Sequence, residues 1–226
     1  MEQRIAKYIS SSGVCSRRMA EKLIQQGRVK LDEAIVTTPA INVNPDHKIY
    51  VDDKLVIPTL KTRVWIYYKP VGLITTHRDP LNRPTVFSSL KSLLPRVISV
   101  GRLDMYSEGL LLLTNNGSFA RNMELPKNKV KRIYKVRAYG DTNLLLNATR
   151  KEIFESLHYD ISSLYLLSPQ HDSINWFKIT LTEGKNREIR NIFQYFRLTV
   201  TKLIRIQYGK YQLSNLCPTE FKEVSI

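Results

Sequence analysis

"VGRLDMYSEGLLLLTNNG", residues 100–117, sets a single carboxylate, Asp104, between a cation, Arg102, and four consecutive leucines, Leu110 to Leu113. The apolar run is short and bounded by Gly109 and by Asn115-Asn116-Gly117. That pattern predicts a strand buried on both faces. An acid tethered to the edge of such a strand can be held rigidly and partly shielded from water. Shielding alone raises a carboxyl pKa and neutralises it, whereas a nearby guanidinium keeps it ionised. Arg102 and Arg190 are the candidates in sequence. At an effective dielectric constant of about 20, unlike charges ~4 Å apart attract by about 4 kcal/mol before desolvation. That is enough to hold the acid charged and aimed, as a nucleophile or base requires. A structural Asp–Arg pair without chemistry fits the same residues. Glu108, four residues on, would suit a two-carboxylate glycosidase, but Gly109 and the loop composition argue against a helix aligning the two acids.

Outward from this loop, strands and helices mix irregularly. "RVWIYYK" (63–69) and "GLITT" (72–76) read as strands around Pro70-Val71. "VKRIYKVRAY" (130–139) alternates: Val130, Tyr134, Val136 and Ala138 share one face, joined by Arg132, and Lys131, Lys135 and Arg137 lie on the other. "INWFKITLTEG" (174–184) is another strand, and "REIRNIFQYF" (187–196) a helix with a stripe of Ile189, Ile192, Phe193 and Phe196. Arg187, Asn191 and Gln194 face away from that stripe, and Arg190 borders it. The order predicts an α+β fold, with a mixed, mainly antiparallel sheet flanked by helices.

The first 60 residues differ in kind. They carry nine Lys/Arg against seven Asp/Glu, a net of +2, while the remainder carries 26 against 13, a net of +13. "VIPTLKTR" (56–63), with Pro58 and Thr59, reads as a linker, giving domains of residues 1–60 and 61–226. Ile5, Tyr8 and Ile9 form a helical stripe ended by Gly13. Ser16 is a good N-cap for a second helix running to Gln26, terminated by Gly27, with Met19, Ala20, Leu23 and Ile24 as its apolar stripe. Arg17, Arg18 and Lys22 stand near that helix's N-terminal end, where free N–H groups also favour phosphate. Arg28 and Lys30 follow.

The whole chain has 226 residues, a net charge of +15 and a pI near 9.8. Such an excess points to a polyanion, nucleic acid or an anionic membrane. No apolar run approaches the ~18 residues of a membrane span, and the N-terminus lacks a secretory leader pattern. Nucleic acid is the better partner. Cys15 and Cys217 stand alone at opposite ends of the chain, consistent with a reducing cytoplasm. His47, His77, His158 and His171 lack metal-ligand spacing, and neither a phosphate loop nor a dinucleotide fingerprint is present. No metal or cofactor is expected.

"RIAKYISSSGVCSRRMAEKLIQQGRVKL" (4–31) resembles an S4 RNA-binding module, with its order of helix, Gly, Ser-Arg-Arg, helix and Gly-Arg-Val. Where that module usually continues with Asn-Gly, this chain has Asp32-Glu33, which adds acid near the expected RNA face. "SVGRLDMYSEGLLLLTNNG" closely resembles the catalytic motif of the RsuA/RluB family of bacterial rRNA pseudouridine synthases. "YYKPVGLITT" resembles the Lys-Pro-x-Gly stretch opening that family's catalytic domain, and "KRIYKVRAYG" and "LTEGKNREIRNIF…TVTKLIRIQYG" resemble its later motifs, in order. The match covers nearly the whole chain.

The resemblance implies an enzyme that breaks the C1′–N1 bond of a uridine, turns the uracil and rejoins it through C5, with no cofactor. It implies that Asp104 is the catalytic aspartate, Arg190 its arginine partner, Tyr134 the tyrosine that stacks on the target base, and Leu203 the apolar pocket residue. Arg102 is expected to shape the loop or meet phosphate. RNA contacts are expected from Arg4, Arg17, Arg18, Lys22, Arg28, Lys30, Lys69 and Arg187. Ser107 stands where the family often has Thr, and Tyr106 where a smaller polar residue is usual. "DPLNRPTVFSSL" and "LPKNKVKRIYKVRAYG" look more like the RluB branch, acting on large-subunit rRNA, than the RsuA branch, acting on small-subunit rRNA. The chain is expected to be a cytoplasmic monomer binding ribosomal RNA and no membrane. The alternative is a non-catalytic S4 protein that binds rRNA during ribosome assembly.

Overall fold

The computed structural model describes residues 2–57, 61–169 and 173–226. The linker residues Pro58 and Thr59, and His171, lie outside the described residues. The chain divides into two compact units, one comprising residues 1–62 with 95–97 and 115–117, the other the remainder.

The first unit opens with β1 (Gln3–Arg4), α1 (Ile5–Ser11) and α2 (Arg17–Gln25). Ser16 caps α2 as its sequence indicates, its hydroxyl accepting from the Met19 N–H at 3.2 Å. Short strands follow: β2 (Val29–Leu31), β3 (Ala34–Val36), β4 (Asn42–Val43), β5 (Ile49–Val51) and β6 (Lys54–Leu55). Four of them form an antiparallel sheet in the order β3-β2-β5-β6, and β4 pairs with β1. Ile5, Ile9, Ala20, Ile24, Val29 and Ile49 close a core with no exposed side chain among them. Met19, assigned to the α2 stripe, is instead 49% exposed. Ala20, Leu23 and Ile24 already fill the face toward the sheet, and Met19 sits at the stripe's margin.

The second unit is built on one large sheet with the order β11-β12-β10-β13-β9-β7-β15. In chain order its elements are β7 (Val64–Lys69), α3 (Val86–Leu90), β8 (Ile98–Val100), β9 (Glu108–Thr114), α4 (Gly117–Glu124), β10 (Arg132–Tyr139), α5 (Asn143–Asn147), α6 (Arg150–Leu157), β11 (Ile161–Pro169), β12 (Ile174–Leu181), α7 (Glu188–Tyr195), β13 (Thr199–Tyr208), β14 (Tyr211–Gln212) and β15 (Phe221–Val224). β8 pairs with β9 and β14 with β13. The α+β fold holds, and every pairing in this sheet is antiparallel except β9 with β13.

The leucine run is the middle of β9, and every residue of that strand is buried. Burying each leucine contributes ~1.5–3 kcal/mol. β10 alternates as its sequence does: Arg132, Tyr134, Val136 and Ala138 are buried, while Lys135 and Tyr139 are exposed. The α7 stripe also forms, with Ile189, Ile192 and Phe193 buried and Phe193 set edge-on against Phe177 at 5.2 Å. The expected strand over 72–76 does not form. Its residues lie in a loop whose one ladder contact among the described residues is an isolated bridge from Ile74 to Thr85, the N-cap of α3, because its polar groups are used to brace another loop, described below.

The parallel seam joins the two halves of the sheet over two residue pairs, Glu108 with Ile204 and Gly109 with Arg205. Gly109 has φ +99° there, and a Cβ would come under 3.0 Å from the Arg205 backbone oxygen and nitrogen. A side chain is thus refused by both conformation and space. Gly109→Ala is expected to destabilise the protein by about 2 kcal/mol or more. Gly13→Ala, also at positive φ but in open space, should lose only about 1–2 kcal/mol. Urea denaturation of the two variants checks the difference, and equal losses would show that the seam tolerates a methyl group.

Candidate active site

The loop from Leu103 to Ser107 is fixed carbonyl by carbonyl. The Thr75 hydroxyl donates to Leu103 O at 2.8 Å and accepts from the Leu103 N–H at 3.3 Å. The Ser107 N–H closes a turn on Asp104 O at 3.0 Å, and the Gly72 N–H donates to Met105 O at 2.8 Å. Arg190 Nη2 donates to Tyr106 O at 2.9 Å. Lys69 Nζ donates to Ser107 O at 2.8 Å and to Pro70 O at 2.9 Å. Five consecutive carbonyls are thereby held by five residues from three stretches of the chain: Lys69, Gly72 and Thr75, then Ser107, then Arg190. The loop following Lys69-Pro70 is a brace for the Asp104 loop, not a strand.

This loop forms one wall of a cavity of about 590 Å³. Asp104, Arg102, Tyr134, Arg187, Arg190 and Leu203 all line it. The side chain of Asp104 is exposed rather than shielded. Tyr134 is 8% exposed and Leu203 7%. The sheet sets both: Tyr134 lies opposite Arg205, and Val136 opposite Leu203. Arg190 behaves differently from the sequence expectation. Among the described residues no ion pair joins it to Asp104. Its guanidinium instead holds the Tyr106 carbonyl, with a longer contact to Val200 O at 3.3 Å. Burial lowers the Arg190 pKa first, Arg187 adds to this, and the Asp104 charge opposes both. Asp104 is therefore within electrostatic reach of Arg190 without touching it.

Lys69 is a correction. It was expected to meet RNA, but it is fully buried beneath the Asp104 loop. Burial pulls its pKa down to about 8, opposed by the charges of Asp104 and Glu108. Its three N–H donors suit clustered carbonyls, and a cation there faces the acid from behind. In the first unit, Arg4, Arg17, Arg18, Lys22 and Arg28 are exposed and Lys30 half-buried. Arg28 is forked onto Asp52 at 2.6 and 2.7 Å, and Lys30 pairs with Asp53 at 2.6 Å. Arg17 lies 3.6 Å from Glu21, and Arg4 donates to the Ala40 carbonyl.

Three buried charges at the cavity were missed. Arg132, 6% exposed, donates to the Thr182 and Glu183 carbonyls and to the Tyr208 hydroxyl. Arg205, 2% exposed, donates through Nε to Leu110 O at 2.7 Å, and its Nη2 has no hydrogen-bond partner among the described residues. Glu188, 3% exposed, accepts from the Lys185 N–H at 3.2 Å through one oxygen, and its other oxygen has no hydrogen-bond partner among the described residues. The signals were present: Arg132 and Arg205 share strand faces with Tyr134 and Leu203, and Glu188 precedes Ile192 by four residues on the buried stripe. Glu108 begins β9, bonded to Tyr68 Oη at 3.2 Å and paired with Lys202 at 3.1 Å, and does not line the cavity.

The model for RNA pseudouridylate synthases matches residues 63–195, and that for S4 domains residues 3–49. The chain is 54% identical over 224 residues to a Rickettsia felis protein described as an uncharacterized RNA pseudouridine synthase, spanning 99% of this chain and 97% of that one. It is 36% identical over 227 residues to the ribosomal large subunit pseudouridine synthase B of Salmonella typhi, spanning 96% of this chain and 77% of that one. A crystal structure of a pseudouridylate synthase shares the fold, with a TM-score of 0.62 at 23% identity, covering 98% of this chain and 96% of that one. This chain belongs to the RNA pseudouridylate synthase family and carries an S4 domain at its N-terminal end.

Burial pushes the Glu188 carboxyl up to about 7, with Glu183 adding and the Lys185 N–H opposing. The ordinary value is 4.5. Below it both folded and unfolded chains carry the proton. As pH rises toward 7 the unfolded chain ionises first, so stability falls across that window. Glu188→Gln should match the native protein near pH 4 and exceed it in stability at pH 8, as read by urea denaturation. A pH-independent difference would show that another group titrates.

Proposed function

We propose that this enzyme converts a specific uridine of large-subunit ribosomal RNA to pseudouridine, with Asp104 acting at C1′. What supports this reading is that Asp104, Tyr134, Arg190 and Leu203, separated by up to 99 residues in sequence, line one cavity of about 590 Å³. The large-subunit assignment rests on the 36% identity to the Salmonella protein of that name. Small-subunit rRNA is the alternative that the experiment below separates.

In this reading the C1′–N1 bond breaks, the uracil turns, and C5 bonds to C1′. The proton leaves C5 and N1 gains one, so atoms balance without a redox partner or cofactor. Asp104, exposed at the cavity mouth on a braced loop, is free to meet the ribose. Tyr134 lies under the base, and Leu203 forms the wall. Arg190 acts through the backbone, by fixing Tyr106 two residues after the acid, and contributes charge at a distance. Arg102 and Arg187 take phosphates. A base inside an RNA helix is out of reach, so the target is flipped or already unpaired, at a cost of a few kcal/mol. Residues 1–60 orient the RNA as the S4 module and residues 61–226 carry out the reaction, in a cytoplasmic monomer.

Tritium release from C5-labelled uridine in large- and small-subunit rRNA transcripts tests the reaction and the subunit together. Release from large-subunit RNA alone is the expected result. Asp104→Asn should abolish release while RNA affinity stays within a few fold, since many cations share the RNA and one carboxylate meets the sugar. Turnover well above background in a clean preparation would remove Asp104 from the chemistry.

Arg190→Lys should lose most of the activity, because an ammonium cannot reach Tyr106 O and Val200 O with the fork of a guanidinium. Single-turnover rates check this, and a near-native rate would show that charge alone suffices at that position.

A further inference from the structure

The outer face of the β11-β12-β10-β13 sheet carries like charges in direct opposition. Residues opposite one another across strands share a face. Lys135 of β10 lies opposite Lys178 of β12, and Arg137 lies opposite Lys202 of β13. Like charges so placed are destabilising. Lys202 is offset by Glu108. Lys135 and Lys178 have no ion-pair partner among the described residues. Aromatic rings flank them: Tyr165 of β11 lies opposite Lys178, and Trp176 lies opposite Arg137. Tyr165 is 59% exposed. This is the face away from Tyr134 and Leu203. α7 packs on the other side, where its Phe193 meets Phe177.

From this arrangement we propose that the outer sheet face is a second RNA-binding surface, which takes a single-stranded segment of the substrate RNA outside the catalytic cavity. Phosphates relieve the repulsion between the paired cations. Unpaired bases stack on Trp176 and Tyr165, a use of open sheet faces that needs no base-specific contact. A duplex keeps its bases stacked inside and offers these rings nothing. An acidic protein would answer the cations but leave the rings without a role, so RNA is the occupant. The proposal rests on RNA being the substrate, but not on Asp104 or on the identity of the modified uridine.

The chain has two tryptophans. Trp65 is 2% exposed and Trp176 is half-buried on this face, so fluorescence quenching by an oligouridine reports on Trp176. The full-length protein is titrated with single-stranded oligouridine, with an RNA duplex of equal length and with polyglutamate. Quenching by the single strand, well beyond that by either competitor, is expected. Lys135→Glu with Lys178→Glu should weaken it roughly tenfold and lower the salt slope of binding by about 2. Tyr165→Ala should weaken it roughly fivefold. Thermal melts of the charge variant should be no lower than those of the native protein, since a repulsive pair is removed.

Turnover on a minimal stem-loop is measured alongside and should be unchanged in all these variants. Absent quenching, quenching only by polyglutamate, or affinity and salt slope unchanged in the charge variant would each overturn the second surface. Absent turnover in the native protein would instead count against the proposed reaction.

Discussion

The structure depends on the clamping of one five-residue loop. Carbonyls are strong acceptors, and a loop that leaves them to water is free to move. Here the carbonyls from Leu103 to Ser107 are held in turn by Thr75, the Ser107 amide, Gly72, Arg190 and Lys69. None of these bonds involves the Asp104 carboxylate. The backbone is held and the side chain left exposed, a division that suits the role proposed for Asp104, meeting a ribose in a set position. The clamp needs a rigid anchor on its C-terminal side. β9 provides it, buried along its whole length and locked to β13 by the close approach of Gly109 to Arg205. The same seam carries Leu203 and, through β10, Tyr134, so one crossing point spaces the loop from both side chains across the cavity.

Around that cavity, charge has been buried at some expense to stability. Lys69, Arg132, Arg205 and Glu188 are each less than a tenth exposed. Buried charges are weak sources of stability unless fully paired, and Arg205 and Glu188 each keep an atom without a hydrogen-bond partner among the described residues. Arg132, by contrast, is spread over several carbonyls and the Tyr208 hydroxyl, with its guanidinium over the Tyr208 ring at 4.7 Å. It ties the segment after β12 to β13 and the end of α4. The basic composition is thus partly structural: some cations that a charge count would assign to RNA hold carbonyls together inside the protein.

Patterns of local period were legible in the sequence, and contacts across long separations were not. The β9 run, the β10 alternation, the α7 stripe and the Ser16 cap follow from spacing within a dozen residues, and each appears in the structure. Lys69 reads in sequence as an RNA contact, and lysine is rarely buried. Only the return of residue 107 over residue 69 explains its burial. The stretch 72–76 has a strand's composition, but Gly72 and Thr75 are spent on carbonyls of residues 105 and 103. Arg190 reads in sequence as the partner of Asp104, and the two line one cavity, but among the described residues its guanidinium binds the Tyr106 carbonyl instead. Its hydrogen bond to a backbone carbonyl two residues away depends on a register between α7 and the loop that no local pattern encodes.

The distribution of cations bears on how the two units divide their work. Residues 1–60 carry a net of +2, and two of their cations, Arg28 and Lys30, are matched to Asp52 and Asp53. A surface so nearly neutral attracts a polyanion weakly, so the proposed role of Arg18, Lys22 and their neighbours is one of placement rather than bulk attraction. Residues 61–226 carry +13, and after the buried cations are set aside much of that charge remains on the surface. On the proposed function, phosphate attraction, which falls steeply with salt, therefore rests mainly on residues 61–226. Placement, which changes little with salt, falls to the S4 domain on the same proposed reading. On the proposed reading, an RNA drawn by the first and oriented by the second meets Asp104 on a loop whose carbonyls from Leu103 to Ser107 are all held, so the RNA must do the conforming.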